Sequence, residues 1–132
     1  MFLSRAAEVA LLALPYLDPR GPDGDGRKIR ELSEEAGVPA PFLAKVLGAL
    51  VEKGLLRSRR GRGGGFVLGR RASEMTLADV VIALSGDESL DEAFPRSSGI
   101  LGELLEPCRQ KLRLALSQTS LLQLRPKHRG EI

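Results

Sequence analysis

The sequence predicts a mainly α fold with one small β-hairpin, and three observations carry that expectation. Two short stretches with helical apolar spacing flank the three residues Gly37-Val38-Pro39. Behind them, "LLRSRRGRGGGFVLGRR" (residues 55–71) sets two runs of strand-forming residues around a tip of arginine and glycine. Near the end, Leu101, Leu104, Leu105, Cys108, Leu112, Ala115 and Thr119 keep helical spacing over about five turns.

Taken in order, Ser4 is placed to cap a first helix with Val9, Leu12, Ala13 and Tyr16 on its apolar face, and Pro15 is expected to kink that helix or end it early. "DPRGPDGDGR" (18–27) reads as a flexible loop from its composition. Ile29, Leu32, Ser33 and Ala36 mark one face of a short helix, which Gly37 ends in a left-handed conformation and Pro39 keeps from continuing. Pro41 suits the first turn of the next helix, whose stripe is Leu43, Val46, Leu47 and Leu50 and whose stop is Gly54. Strands are expected at Leu55–Ser58 and Phe66–Leu68. Thr76 with Asp79 resembles a capping box, opening a helix with Leu77, Val80, Val81 and Leu84 on its core face. Residues 85–98 are acidic and loop-like, and Pro107 either bends the last helix or starts it afresh in its first turn.

At 132 residues the chain suits one domain, and its 42% hydrophobic and 28% charged residues are those of an ordinary globular protein. Aromatics make up 4%, so the core must come from Leu, Val, Ala and Ile. No run approaches the ~18 apolar residues that span a bilayer. "MFLSRAAEVALLALPYL" has no basic leader before its apolar run and no plausible cleavage site, so it reads as a structural helix, and a cytoplasmic location without membrane attachment is expected. The one cysteine, Cys108, excludes an intramolecular disulfide framework. No paired-carboxylate or His–Cys constellation supports an enzyme, and His128, alone in a basic tail, has no second ligand nearby.

Net charge is +3, unevenly placed: residues 1–71 carry 13 basic and 8 acidic side chains, residues 72–132 carry 7 and 9. The first half therefore suits an anionic partner. Helix, loop, helix-turn-helix and a two-stranded ribbon with a basic glycine tip is the order of a winged helix-turn-helix, in which tip arginines can meet phosphates or enter a narrow minor groove. The glycines would let the backbone approach the sugar-phosphate rail. "GRGGGF" lacks the spacing of a phosphate-cradling loop and lies between strands. An RNA-binding arginine-glycine segment would be long and disordered, and a solvated hairpin without a partner leaves the preceding helix-turn-helix unexplained.

On this reading Arg57, Arg59, Arg60 and Arg62 make wing contacts within residues 57–65, and Lys45, Lys28 and Arg30 reach the groove or the backbone of double-stranded DNA. The outer face of recognition helix 40–53 offers Ala40, Pro41, Ala44, Lys45, Gly48, Ala49 and Glu52. Only Lys45 is a long donor for base edges, so discrimination is expected to lean on DNA shape, thymine-methyl contacts from Ala40, Phe42 and Ala44, and the wing.

"LSRAAEVALLAL", the block "IRELSEEAGVPAPFLAKVLGALVEKGLLRSRRGRGGGFVLGRRASEMTLADVVIALSG" and "TSLLQL" resemble the Rrf-two family of bacterial transcription regulators, which includes iron–sulfur-cluster, nitric-oxide and cysteine-metabolism regulators. The resemblance implies a homodimer, a recognition helix in each major groove, a wing in the flanking minor groove, and a long helix that builds the dimer. Many members carry three cysteines that ligate a cluster between the helix after the wing and the dimer helix. Here "SGDESLDEAFPRSSGILGELL" has no cysteine or histidine, and carboxylates such as Asp87 or Asp91 are poor substitutes for thiolates, so no cofactor is expected. Cys108 reads first as a small buried hydrophobe, with a disulfide across a dimer axis as the alternative.

The expected organisation is a DNA-binding domain over residues 1–84, an acidic connection over 85–98, and a dimerisation helix with tail over 99–132. Leu101, Leu104, Leu105, Cys108, Leu112 and Leu116 are the expected dimer interface. The expected function is a homodimeric repressor on a palindromic operator. The rival is an interaction subunit whose acidic second half docks a partner protein, and a small ligand between wing domain and dimer helix stays open.

Overall fold

The computed structural model describes residues 3–86 and 99–124. The elements are α1 (Arg5–Ala13), α2 (Ile29–Ala36), α3 (Ala40–Glu52), β1 (Leu56–Arg59), β2 (Gly65–Leu68), α4 (Leu77–Ser85) and α5 (Gly99–Gln118), with short 3-10 turns between several of them. The Ser4 hydroxyl caps α1 by accepting from the Ala7 N–H, and α1 ends early, passing into a 3-10 turn that holds Pro15. Gly37 closes α2 at φ +70°, and Pro41 sits in the first turn of α3. The box at the start of α4 is complete: Thr76 caps the Asp79 N–H while the Asp79 carboxylate takes the Thr76 N–H.

The core is aliphatic. Val9, Ala13 and Leu14 from the first helical segment meet Leu32 of α2, Leu43, Val46, Leu47 and Leu50 of α3, Leu56 and Leu68 at the base of the hairpin, and Val80 of α4. On α4 the expected face shifts slightly, with Ala78 buried and Leu77 and Leu84 only half-buried. The strands run one residue later than expected on β1, because Leu55 still belongs to the closure of α3, its N–H donating to Leu50 O at 3.0 Å.

One alternative that the sequence leaves open is resolved, and one further feature departs from it. The last helix begins at Gly99 and runs through Pro107 without restarting there. It ends at Gln118, and the chain beyond it turns back to pair with the segment before α4: the Leu77 N–H donates to Thr119 O (2.9 Å) and the Leu121 N–H to Met75 O (2.8 Å). Leu121 is fully buried beside Met75, so the segment after α5 contributes to the same core as α1–α4. The proposed division at 85–98 lies mostly in residues outside the described ones, as do Asp87, Asp91 and His128.

Because Leu121 fills core volume, Leu121→Ala should lower unfolding stability by about 2–4 kcal/mol. Urea unfolding followed by circular dichroism measures it, and a loss below about 1 kcal/mol would place the return segment outside the cooperative core.

Candidate nucleic-acid interface

Helix α3 buries Leu43, Val46, Leu47 and Leu50, which leaves Pro41, Ala44, Lys45, Gly48 and Glu52 exposed along its outer side. Ala40 and Ala49 are half-covered, and Phe42 packs against the core instead of standing clear. Nothing lies within 4 Å of where a Gly48 Cβ would stand, so the outer face of α3 is smooth and open. Gly54 lets the chain turn out of α3 at φ +81° into β1.

The hairpin pairs Leu56 with Leu68, Arg57 with Val67, Ser58 with Phe66 and Arg59 with Gly65. A third stretch flanks β2, which the sequence reading missed. The Arg27 N–H donates to Phe66 O (3.0 Å), the Phe66 N–H to Arg27 O (2.8 Å), and the Gly26 N–H to Gly63 O (3.1 Å). Two glycines make this approach possible: a Cβ on Gly65 would collide with the Arg27 carbonyl, and one on Gly26 with the Gly64 backbone. These tip glycines serve the chain's own packing, whereas Gly61 and Gly63 face open space at positive φ.

The segment 18–27 is therefore an ordered element, not a flexible loop. Its organiser is Asp18, whose carboxylate accepts from the Arg20 N–H (2.9 Å), the Asp25 N–H (3.0 Å) and the Arg20 guanidinium (2.7 Å). The Arg20 guanidinium, helped by those two backbone N–H groups, outweighs partial burial and holds the Asp18 carboxyl well below the usual carboxylate range. Sequence composition hid this because Gly, Pro and Asp favour turns without saying which turn is locked.

The basic residues fall into two sets. Arg27 bridges Glu31 (2.9 Å), Glu35 (2.6 Å) and Tyr16 O (3.0 Å), and Arg70 pairs with Asp79 (3.1 Å). Lys28 Nζ donates to Gly61 O at the wing tip (3.1 Å). Arg59 donates to Gly24 O (2.8 Å) and to Pro22 O. Arg30 stands 3.8 Å from Glu34, with both side chains exposed. By contrast, the side chains of Lys45, Lys53, Arg57, Arg60, Arg62 and Arg71 are exposed and form no hydrogen bond or ion pair with the described residues. Of the predicted contact residues, Lys28 and Arg59 thus have internal partners that spacing alone did not reveal.

On α5, Leu105, Leu112 and Leu116 are half-buried, and the helix packs against α4. Leu101 (55% exposed), Leu104 (65%) and Cys108 lie on the outward side, together with Ile100 (77%). Cys108 is exposed in the single chain, because α5 is apolar on two sides and the cysteine belongs to the outer one. Arg109 is buried on the inner side and pairs with Glu106. No group of three His, Cys, Asp or Glu suited to a metal occurs among the described residues, and no helix is long and apolar enough to cross a membrane.

A helix-turn-helix followed by a hairpin with unpaired arginines defines a winged helix-turn-helix of the DNA-binding kind. The Rrf2 family model, described as an iron-dependent transcriptional regulator, matches residues 3–126, and the chain belongs to that family. It is 36% identical over 87 residues to the HTH-type transcriptional regulator IscR of Photorhabdus laumondii, covering 66% of this chain but only 49% of that one. Rv1287 of Mycobacterium tuberculosis is 31% identical over 128 residues, 92% of this chain and 79% of its own length. Among solved structures, CymR, the global cysteine regulator of B. subtilis, superposes with a TM-score of 0.78 at 24% identity over 92% of this chain and 94% of that one. The oxidised form of Staphylococcus aureus CymR gives 0.75 at 25% identity over 97% and 98%.

Since the folded-state pKa of Asp18 is depressed, its stabilising contribution is present above its ordinary value of 3.8 and is lost as pH falls. The stability difference between wild type and Asp18→Asn should be constant from neutral pH to about pH 5 and shrink below about pH 4. Urea unfolding across that range checks it, and a difference independent of pH would remove Asp18 from this role.

Proposed function

We propose that the chain is a homodimeric, sequence-specific DNA-binding repressor that reads a palindromic site without an iron–sulfur cluster. The observation that carries the DNA-binding part is that Lys45 on α3, and Arg57, Arg60 and Arg62 on the wing, are exposed and unpaired, as are Lys53 at the end of α3 and Arg71 beyond the hairpin. Elsewhere in the first half most cations already have an acidic or carbonyl partner, so the unpaired ones are the charges available to a polyanion. Lys45 and the smooth Ala44–Gly48 side of α3 face the major groove, and Arg60 and Arg62 reach the flanking minor groove. Arg57 and Arg30 serve phosphates.

Dimerisation rests on the outer stripe of α5. Leu101, Leu104 and Cys108 are spaced by three and four residues, continue to Ala115, and are exposed, which is the seam of a helix pair. Leu105, Leu112 and Leu116 support that seam from the inner side. Two copies joined there would hold two recognition helices for related half-sites. The cluster-free reading rests on residues 87–98, which contain no cysteine or histidine, and on the single cysteine of the chain.

Binding to one operator duplex and one scrambled duplex, measured against salt, tests the site. Arg60→Ala and Arg62→Ala should each lower the slope of log affinity against log salt by about 0.9 per wing phosphate lost, doubled in a dimer, and weaken binding on both duplexes. Lys45→Ala should instead narrow the gap between the two duplexes. Unchanged slopes in both arginine variants would mean that the wing is only solvated.

Changing Leu101 and Leu104 together to Glu should give monomers by light scattering and lower operator affinity by tenfold or more, an order-of-magnitude estimate for losing joint binding of two half-sites. Dimers that persist in this variant would move the interface off the outer stripe.

A further inference from the structure

Arg59 is spent differently from its neighbours. It ends β1, immediately before the unpaired Arg60, yet its guanidinium donates to the carbonyls of Gly24 and Pro22. Those carbonyls lie in and just after the 3-10 turn Gly21–Asp23, where backbone acceptors have no intrahelical partner. Arg59 pairs with Gly65 in β2, so its side chain spans the width of β2 beside a residue that has no side chain to obstruct it. The turn it grips is itself held by Asp18, by the Gly21 N–H donating to Asp18 O (3.1 Å), and by the Ala72 N–H donating to Pro19 O (2.9 Å) at the far end of the hairpin.

We propose that Arg59 is a positioning residue for the wing: its two-pronged grip on the Asp18-locked turn sets the position from which Arg60 and Arg62 meet DNA, and Arg59 itself does not contact phosphate. The inference rests on the reading that the wing binds DNA. Two chemical features separate the roles. A phosphate contact needs a positive charge, which lysine keeps. A bridge between two backbone carbonyls needs two divergent, fixed N–H donors, which guanidinium has and a single flexible ammonium does not. A positioning residue also acts only through what it positions, so its effect should vanish once the wing arginines are gone.

The test measures operator affinity of the full chain for Arg59→Ala, Arg59→Lys, Asp18→Asn and the Arg60→Ala/Arg62→Ala pair, with and without Arg59→Ala. Thermal melts confirm folding; if Arg59→Ala does not fold, Arg59→Lys and Asp18→Asn carry the test. Arg59→Ala should weaken binding about tenfold. Arg59→Lys should weaken it to within about twofold of the alanine variant, and Asp18→Asn should weaken it in the same direction although it removes a negative charge. Added to the Arg60→Ala/Arg62→Ala pair, Arg59→Ala should cost less than about twofold more. Wild-type affinity in Arg59→Lys, an unchanged Asp18→Asn, or a full additive loss in the triple variant would make Arg59 a direct phosphate contact and overturn the proposal. No effect of Arg59→Ala where Arg60→Ala weakens binding would overturn it too, leaving the wing reading intact. If the Arg60→Ala/Arg62→Ala pair binds like wild type, it is the wing reading that fails.

Discussion

The wing stands where it does because the backbones of Gly26–Arg27 and Gly63–Phe66 lie too close together for a side chain between them. This contact turns a two-stranded hairpin, marginal by itself in water, into the middle and edge of a three-stretch ladder. It also fixes the start of α2, since Arg27 directly precedes the helix cap at Lys28. The helix-turn-helix and the wing are thereby joined at one point, and the angle between α3 and the tip is set by backbone hydrogen bonds. A free tip would have to be ordered at the moment of binding, at a cost of roughly 1–2 kcal/mol per residue.

The same contact sorts the charges. Arg27 is drawn back onto Glu31 and Glu35, where it balances the acidic side of α2. Lys28 adds a second donor to the Gly61 carbonyl, which the Gly64 N–H already holds, and Arg59 is used on the Gly24 and Pro22 carbonyls. What remains exposed and unpartnered in the first half is a smaller set, Lys45, Arg57, Arg60 and Arg62 with Lys53 and Arg71 at the margins, so the surface offered to a polyanion is more selective than the count of arginines suggests. Formal net charge, only +3, says little about it.

Much of this fold was legible because it depends on local rules. Ser4, Gly37, Pro41 and the Thr76–Asp79 box mark their helix ends through bonds made within a few residues, and the buried stripe of α3 follows from helical period alone. The missed features are non-local. Nothing near Arg59 in sequence points to carbonyls 35 and 37 residues earlier. Residues 18–27 look like a flexible loop until the Asp18 carboxylate is seen gathering four N–H donors from Arg20 and Asp25. Nothing local in "SLLQL" marks Leu121 as core, and only its pairing with the Met75 segment buries it. On α5, period alone does not separate two apolar sides: Leu105, Leu112 and Leu116 are half-buried in their own chain, whereas Leu101 and Leu104 are exposed. On the candidate interface, residue type was legible and availability was not: spacing named Arg57, Arg59, Arg60 and Arg62 alike, and hydrogen-bond geometry divides them.

On the proposed function, two copies joined through α5, each presenting one α3 and one braced wing, would engage only DNA whose half-sites repeat the symmetry and spacing of the pair. Selection of bound duplexes from a random pool by the purified chain tests that account most directly. It predicts enrichment of two inverted half-sites at fixed spacing, with A·T-rich steps where the wings fall and weak base preference elsewhere. An enriched single half-site, a direct repeat, or no enrichment over the starting pool would contradict it.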